Sequence, residues 1–333
     1  MSEKTIVALD AMGGDNAPLE IVKGAVDAVL ASDEIEVLLY GDEEAVNAEL
    51  SKYKYDNSRL KVVPTTEVIS TSEHPVNAIT KKKDSSLVRG LKAVKNGEAD
   101  AFVSAGNSGA ILAGGQVLVG RIKGVKRAPF APIIPTENGP ALLLDAGANV
   151  DCKPENLVQF AKMGAIYMRP ILNREPRVGI VNLGAEEEKG NALVKETFPL
   201  LKEEKSINFI GSVESRDIPF GTADVIVCEA FTGNAILKMF EGVAKLFGKL
   251  MKKAFLSSIK AKIGALLALP ALKKELKKYD TSTYGGAPML GLRGLVVKTH
   301  GSAKAVEVKN SILQCSDFKK QRILETIQEQ LGE

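Results

Sequence analysis

ADAFVSAGNSGAILAGGQVLVGRI, residues 99–122, passes from an apolar run through a Gly-rich turn into a helix-period stretch. ADAFVSA (99–105) reads as a strand entering that turn. The turn around Gly106 and Asn107 then opens SGAILAGGQVLVGRI (108–122), where the apolar spacing predicts a helix. The same unit recurs outward in both directions. TIVALD (5–10) precedes a helix at 19–32, and IEVLLYG (35–41) one at 43–53. ALLLDAG (141–147), RVGIVNLG (177–184), INFIGSV (207–213), ADVIVCEA (223–230) and GLVVKTHG (294–301) supply further strands, most followed by helices. This alternation predicts an α/β fold: three αβα layers, doubly wound, around a largely parallel sheet. No fixed-period repeat or low-complexity linker interrupts it. Residues 1–333 are therefore expected to form a single α/β/α body, with a helical hairpin inserted at 236–280.

Composition excludes several classes. Of 333 residues 45% are hydrophobic and 26% charged, which rules out disorder as the main state. Trp is absent and aromatics are 5%, too few for single-strand stacking platforms, so no nucleic-acid partner is expected. Cys152, Cys228 and Cys315 have neither metal nor disulfide spacing and suit a reducing cytoplasm. Two His residues, His74 and His300, are too few for a His-based zinc site. The N-terminal stretch lacks a signal-peptide pattern, and no apolar run approaches membrane-spanning length. Net charge is only +3, yet Val243–Lys278 holds ten Lys and one Glu. A mildly acidic body thus carries one strongly basic segment.

Ligands in open α/β sheets bind beyond the carboxyl ends of the strands. The stretches there share a character: DAMGGDNAP (10–18), SAGNSGA (104–110), DAGAN (145–149), the segment 182–191 ending EEEKGN, EAFTGN (229–234) and HGSA (300–303). Small residues allow close backbone approach, while Asn, Ser, Thr and Lys supply donors. Loops of this kind at helix amino termini attract oxyanions, and their convergence on one sheet edge would make an anion-binding cleft. There is no phosphate-binding P-loop, no dinucleotide fingerprint after the first strand and no nucleophile elbow. Cys228 and Cys315 read as buried apolar residues, and Cys152 as a residue at a helix start.

These stretches, with YGGAPMLGLRG…KTHGSA (284–303), resemble the PlsX family in order from residue 5 to about 303. The resemblance implies a phosphate acyltransferase of bacterial phospholipid synthesis, converting acyl-[acyl carrier protein] and inorganic phosphate into acyl phosphate and free carrier protein. It implies a fold similar to isocitrate and isopropylmalate dehydrogenases and to phosphotransacetylase, with no metal or nicotinamide cofactor. Segment 65–86 also matches, with Thr80 where the family commonly carries Arg, while Lys83, Ser85 and Ser86 keep the pattern. His74 reads as a turn residue before Pro75. Lys189 and Asn234 are implied as catalytic donors. Phosphate or substrate binding is expected of Asp10, Gly13, Gly14, Lys83, Ser85, Ser86, Asn107, Ser108, Asn149 and His300; a packing role for His300, or pairing with Asp145, is the other reading. Phosphate is itself a nucleophile and a thioester an activated donor, so direct attack without an acyl-enzyme is expected.

Within the insertion, Leu237, Phe240, Val243, Ala244, Phe247, Leu250, Met251, Ala254 and Phe255 give one apolar helix face, read as packing on the body of the chain or on a twin subunit in a homodimer. Gly264–Leu272 reads as an apolar tip broken at Pro270, between Lys-rich flanks. Leu266, Leu267 and Leu269 are the residues expected to touch an anionic membrane surface, making the protein cytoplasmic and peripherally membrane-associated. Competing readings are a phosphotransacetylase-like enzyme using acyl-CoA, a non-catalytic membrane-surface protein and, third, a dehydrogenase.

Overall fold

The apolar runs become strands, and the strands divide between two sheets. The computed structural model describes residues 4–332, which form two compact units. One comprises the chain up to Pro132, Arg169–Asn173 and the part from Ser282 onward; the other comprises Ile133–Met168 and Arg174–Thr281.

The first unit opens with β1 (Thr5–Asp10), α1 (Leu19–Ala31), β2 (Ile35–Gly41), α2 (Glu43–Leu50) and β3 (Leu60–Pro64). It continues through α3 (Pro75–Lys81), α4 (Ser86–Asn96), β4 (Ala101–Ser104) and α5 (Ser108–Gly114). The second holds β5 (Ile133–Thr136), β6 (Gly139–Leu144), most of α6 (Pro154–Leu172), β7 (Arg177–Val181), α7 (Ala192–Glu203), β8 (Asn208–Val213) and β9 (Val225–Val227). Two long helices follow, α8 (Ala230–Leu256) and α9 (Ile259–Leu276). β10 (Ala287–Met289), β11 (Leu295–Lys298), α10 (Ala305–Lys320) and α11 (Ile323–Leu331) belong again to the first unit.

The first sheet has the order β10-β11-β4-β1-β2-β3, parallel except for β10. The chain winds outward from β1 through β2 and β3, then restarts at β4 on the other side of β1. That reversal is a topological switch point, where such sheets open a crevice. All four residues of β4 are buried, and complete burial of Phe102 contributes roughly 1.5–3 kcal/mol. Helix α10 lies against α1, where the Ala305 N–H donates to Glu20 Oε2 at 2.7 Å.

The second sheet has the order β5-β6-β9-β7-β8, with β6, β9, β7 and β8 parallel and β5 antiparallel to β6. Leu142–Leu144 and Val225–Val227 are fully buried, as unbroken apolar runs require of strands covered on both faces.

The α/β character and largely parallel pairing follow the sequence reading; the convergence of every loop on one edge does not. Loops 10–18, 104–110 and 300–303 leave the first sheet, whereas 145–149, 182–191 and 229–234 leave the second. Periodicity marks a strand without naming its neighbour. Three strands escape that reading altogether: β3, β5 and β10. Each carries a proline (Pro64, Pro135, Pro288) and each is an edge strand, where a missing ladder N–H is tolerated. The stretch expected to be helical over 108–122 is α-helical only to Gly114, then makes one π turn over Gly115–Val119.

The apolar tip is also corrected. Residues 264–272 lie inside α9, and the turn between α8 and α9 is at Ser257 and Ser258, whose hydroxyl accepts the Ala261 N–H at 3.1 Å. Pro270 removes a single helical N–H, and the Leu266 carbonyl it would have served belongs to an exposed residue that water can reach. Helix α9 buries none of its residues; α8 buries only Ala230 and Gly233. No helix among the described residues is long and apolar enough to cross a membrane.

Candidate active site

In the first unit the loops after β1, β4 and β11, three consecutive strands, share one sheet edge. Asp10 ends β1 with a buried carboxyl that accepts the Ser104 hydroxyl at 2.7 Å and the Met12 N–H at 3.2 Å. Burial pushes this carboxyl above its ordinary range, against the opposing pull of Ser86, Ser104 and two main-chain N–H groups. A side chain at Gly13 would stand 2.5 Å from Asp10 Oδ2, so this tight return needs glycine. The loop is tied to 300–303 by Asp15 N–H on Gly301 O at 2.7 Å and Asn16 Nδ2 on Ser302 O at 3.0 Å.

Asn107 caps α5 through Oδ1, while its Nδ2 donates to the carbonyls of Ser70, Thr71 and Glu73 at 3.0–3.2 Å. Its amide therefore holds the 70–73 turn. Ser85, fully buried, caps α4 and donates to Lys82 O at 2.8 Å; Ser86 is buried beside it. Ser108 and Lys83 are exposed. His74 is an exposed residue preceding Pro75 at the start of α3. The exposed ring of His300 accepts the Ser302 N–H at Nδ1, 3.2 Å, with Ser302 Oγ at 2.8 Å.

In the second unit the loops after β6, β9 and β7 are likewise neighbours. Asp145 is fully buried and organises the first: Oδ1 accepts the N–H groups of Gly147 and Ala148 at 3.0 Å, and Oδ2 accepts Asn149 N at 2.8 Å and Nδ2 at 2.7 Å. Asn149 O accepts the Ala230 N–H at 3.0 Å, fastening this loop to the start of α8. A Cβ at Gly233 would lie 1.9 Å from Asp145 O, so the helix reaches this depth only with glycine there. Glu229 caps α8, accepting Phe231 N at 2.6 Å, Thr232 N at 2.9 Å and the Thr232 hydroxyl. Asn234 stands exposed one turn into the helix. On the third loop, Asn182 donates to Ser212 Oγ at 3.0 Å and to Glu186 O at 3.3 Å. Lys189 pairs with Glu186 at 2.7 Å, its side chain half exposed. That bond holds the ammonium pKa above the ordinary lysine value.

Residue types alone assigned no part to Ser104, Asn182 or Glu229. Their signal was position, Ser104 closing β4 and Asn182 and Glu229 one and two places past β7 and β9, and it becomes informative only once the strands are ordered. Cys228 is buried, and burial pushes its thiol well up, as it does for Cys315. Cys152 is half-buried, its Sγ donating to Asn149 O at 3.4 Å.

A family described as fatty acid synthesis protein matches residues 5–326. A phosphate acyltransferase of Clostridium acetobutylicum is 47% identical over 329 residues, covering 98% of this chain and 99% of its own. Among solved structures, the EutD phosphotransacetylase of Staphylococcus aureus has a TM-score of 0.59 at 16% identity, covering 94% of each chain. A Salmonella typhimurium protein assigned to the 4-hydroxythreonine-4-phosphate dehydrogenases has 0.51 at 12%, covering 94% of this chain and 99% of its own. The structural likenesses show a shared fold.

Proposed function

This chain belongs to the fatty acid synthesis protein family of phosphate acyltransferases, and from that premise we propose that its donor is a long-chain acyl-[acyl carrier protein] and its product an acyl phosphate. A phosphate oxygen attacks the thioester carbonyl carbon, the C–S bond breaks, and the carrier thiolate leaves to take up a proton. Such a reaction needs two aligned reactants and donors for the tetrahedral oxyanion. The observation that carries the reading is that Lys189, on the loop after β7, and Asn234, in the first turns of α8 after β9, are both exposed and follow adjacent strands at one edge. Lys189 neutralises phosphate or the developing oxyanion, and Asn234 hydrogen-bonds it. In the first unit Ser108, Lys83 and His300 are exposed anion donors, and Asp10, Gly13, Gly14, Ser85, Ser86 and Asn107 shape the loops that carry them; in the second, Asn149 shapes the loop after β6. Incubating palmitoyl-carrier protein with phosphate should yield acyl phosphate, trapped by hydroxylamine. Release of acyl groups without phosphate, or turnover of acyl-CoA alone, would refute the donor assignment.

Transfer is direct in this reading, since the two buried thiols are poor nucleophiles. Replacing Cys152, Cys228 and Cys315 together by Ala should leave measurable turnover; an acyl group isolated on any of them from the unaltered enzyme would contradict it.

The α8–α9 pair supplies a homodimer contact and a peripheral membrane contact in this proposal. What supports it is exposure: Phe247 and Leu250 on α8, and Leu266 and Leu267 on α9, are all more than half exposed among lysines. Each Lys near an anionic surface contributes roughly 1 kcal/mol, and Leu burial adds to it. Leu266→Glu with Leu269→Glu should release the protein from anionic liposomes while activity in solution survives. Continued sedimentation of the double variant with those liposomes would exclude α9 as the anchor.

A further inference from the structure

Three apolar side chains break the polar character of the edge that carries Lys189 and Asn234. Leu183 is 79% exposed, Phe231 73% and Val150 60%. Leu183 lies on the loop after β7, Val150 on the loop after β6 and Phe231 in the first turn of α8 after β9, and these three strands are neighbours in the sheet. Each is tied to a polar residue of the site. Phe231 and Asn234 are three apart on α8 and share a helix face. Leu183 precedes Gly184, and a Cβ at Gly184 would lie 2.9 Å from Lys189 Nζ, so the ammonium passes directly over that residue. Val150 follows Asn149, whose carbonyl accepts the Ala230 N–H at 3.0 Å, immediately before Phe231.

Three exposed apolar side chains following neighbouring strands at one edge, beside polar donors, suit contact with an apolar ligand. We infer that Val150, Leu183 and Phe231 receive the first methylenes of the acyl chain, next to the thioester carbonyl. The inference rests on the reading of Lys189 and Asn234 as the groups facing that carbonyl. The placement argues for the chain rather than a protein surface: Phe231 shares a helix face with Asn234, and Leu183 adjoins the residue beneath the Lys189 ammonium, so acyl carbons leaving a carbonyl that meets these two donors run beside apolar side chains. They are therefore specificity residues for the acyl end of the donor.

Palmitoyl and acetyl thioesters of one carrier protein separate this contact from carrier docking, which both donors share, because acetyl lacks the methylenes next to the carbonyl. In the Leu183→Ser, Phe231→Ser double variant the palmitoyl-to-acetyl ratio of kcat/KM should fall about tenfold or more, since hydrophobic contacts of methylene size discriminate on that scale. Acetyl turnover reports that the variant is folded. Phe220→Ser, which removes another exposed apolar side chain before the amino end of β9, should leave the ratio unchanged. An unchanged ratio in the double variant, with both thioesters still consumed, overturns the inference alone. No turnover of either thioester by the unaltered enzyme overturns the reading of the reaction and the inference with it.

Discussion

Lys189→Ala and Asn234→Ala should each lower kcat on the order of 100–1000-fold, the usual consequence of removing one preorganised oxyanion donor. Neither change should unfold the protein. The Lys189–Glu186 pair is about half exposed on both sides, and such pairs contribute little to stability. Asn234 is exposed within α8, where Ala is the better helix former. The loss should fall on kcat, because the oxyanion exists only in transit, and it should persist at saturating phosphate. Glu186 keeps the Lys189 pKa raised, so the cation is retained through neutral and mildly alkaline pH. A decline in rate assignable to Lys189 should therefore begin only above the ordinary lysine range. Single-turnover formation of hydroxylamine-trapped acyl phosphate measures all of this. Near-normal turnover in both variants would remove Lys189 and Asn234 from the chemistry.

Asp224→Ala should cost the second unit about 2–4 kcal/mol, through an ion cluster away from the candidate site. Asp224 is buried at the amino end of β9, while Arg174 and Arg177 flank the start of β7. Arg174 grips both carboxylate oxygens, at 2.7 and 2.8 Å. Arg177 adds Nε at 3.1 Å, Nη2 at 3.0 Å and its main-chain N–H at 2.8 Å. Burial by itself would raise this carboxyl, but the two guanidinium groups outweigh it and hold the pKa well below the usual carboxylate range. A depressed folded-state value means that the carboxylate stabilises the fold fully above the unfolded-state pKa of about 4 and loses that contribution as pH falls through the folded value. The arginines are a third to a half exposed, so water can take back part of their charge; hence the lower end of the range expected for a broken buried pair. Urea midpoints at neutral pH should show the loss, and the gap between the parent and Asp224→Ala should narrow at strongly acidic pH. A gap below about 0.5 kcal/mol at neutral pH would show that the cluster is not holding β7 to β9.

The strands of the two sheet interiors were readable from the chain because burial on both faces demands unbroken apolar runs, as in LLLD before Asp145 and VIVC before Glu229. So were the loops, since a residue just past such a run lies at a sheet edge wherever that sheet is. The family resemblance selected Lys189 and Asn234 from among many exposed polar residues; neither periodicity nor composition singles them out. Tertiary structure alone decided which loops are neighbours. β11 pairs with β4 from the far end of the chain, and β9 inserts between β6 and β7, choices made by burial and ladder pairing rather than local pattern. It also decided what polar side chains are used for. Asn107 has the residue type and position of an anion donor, yet its amide is spent on three carbonyls of the 70–73 turn. Pro270 reads as a break, yet it sits inside α9, because one lost N–H on a solvated helix is too small a penalty to stop it.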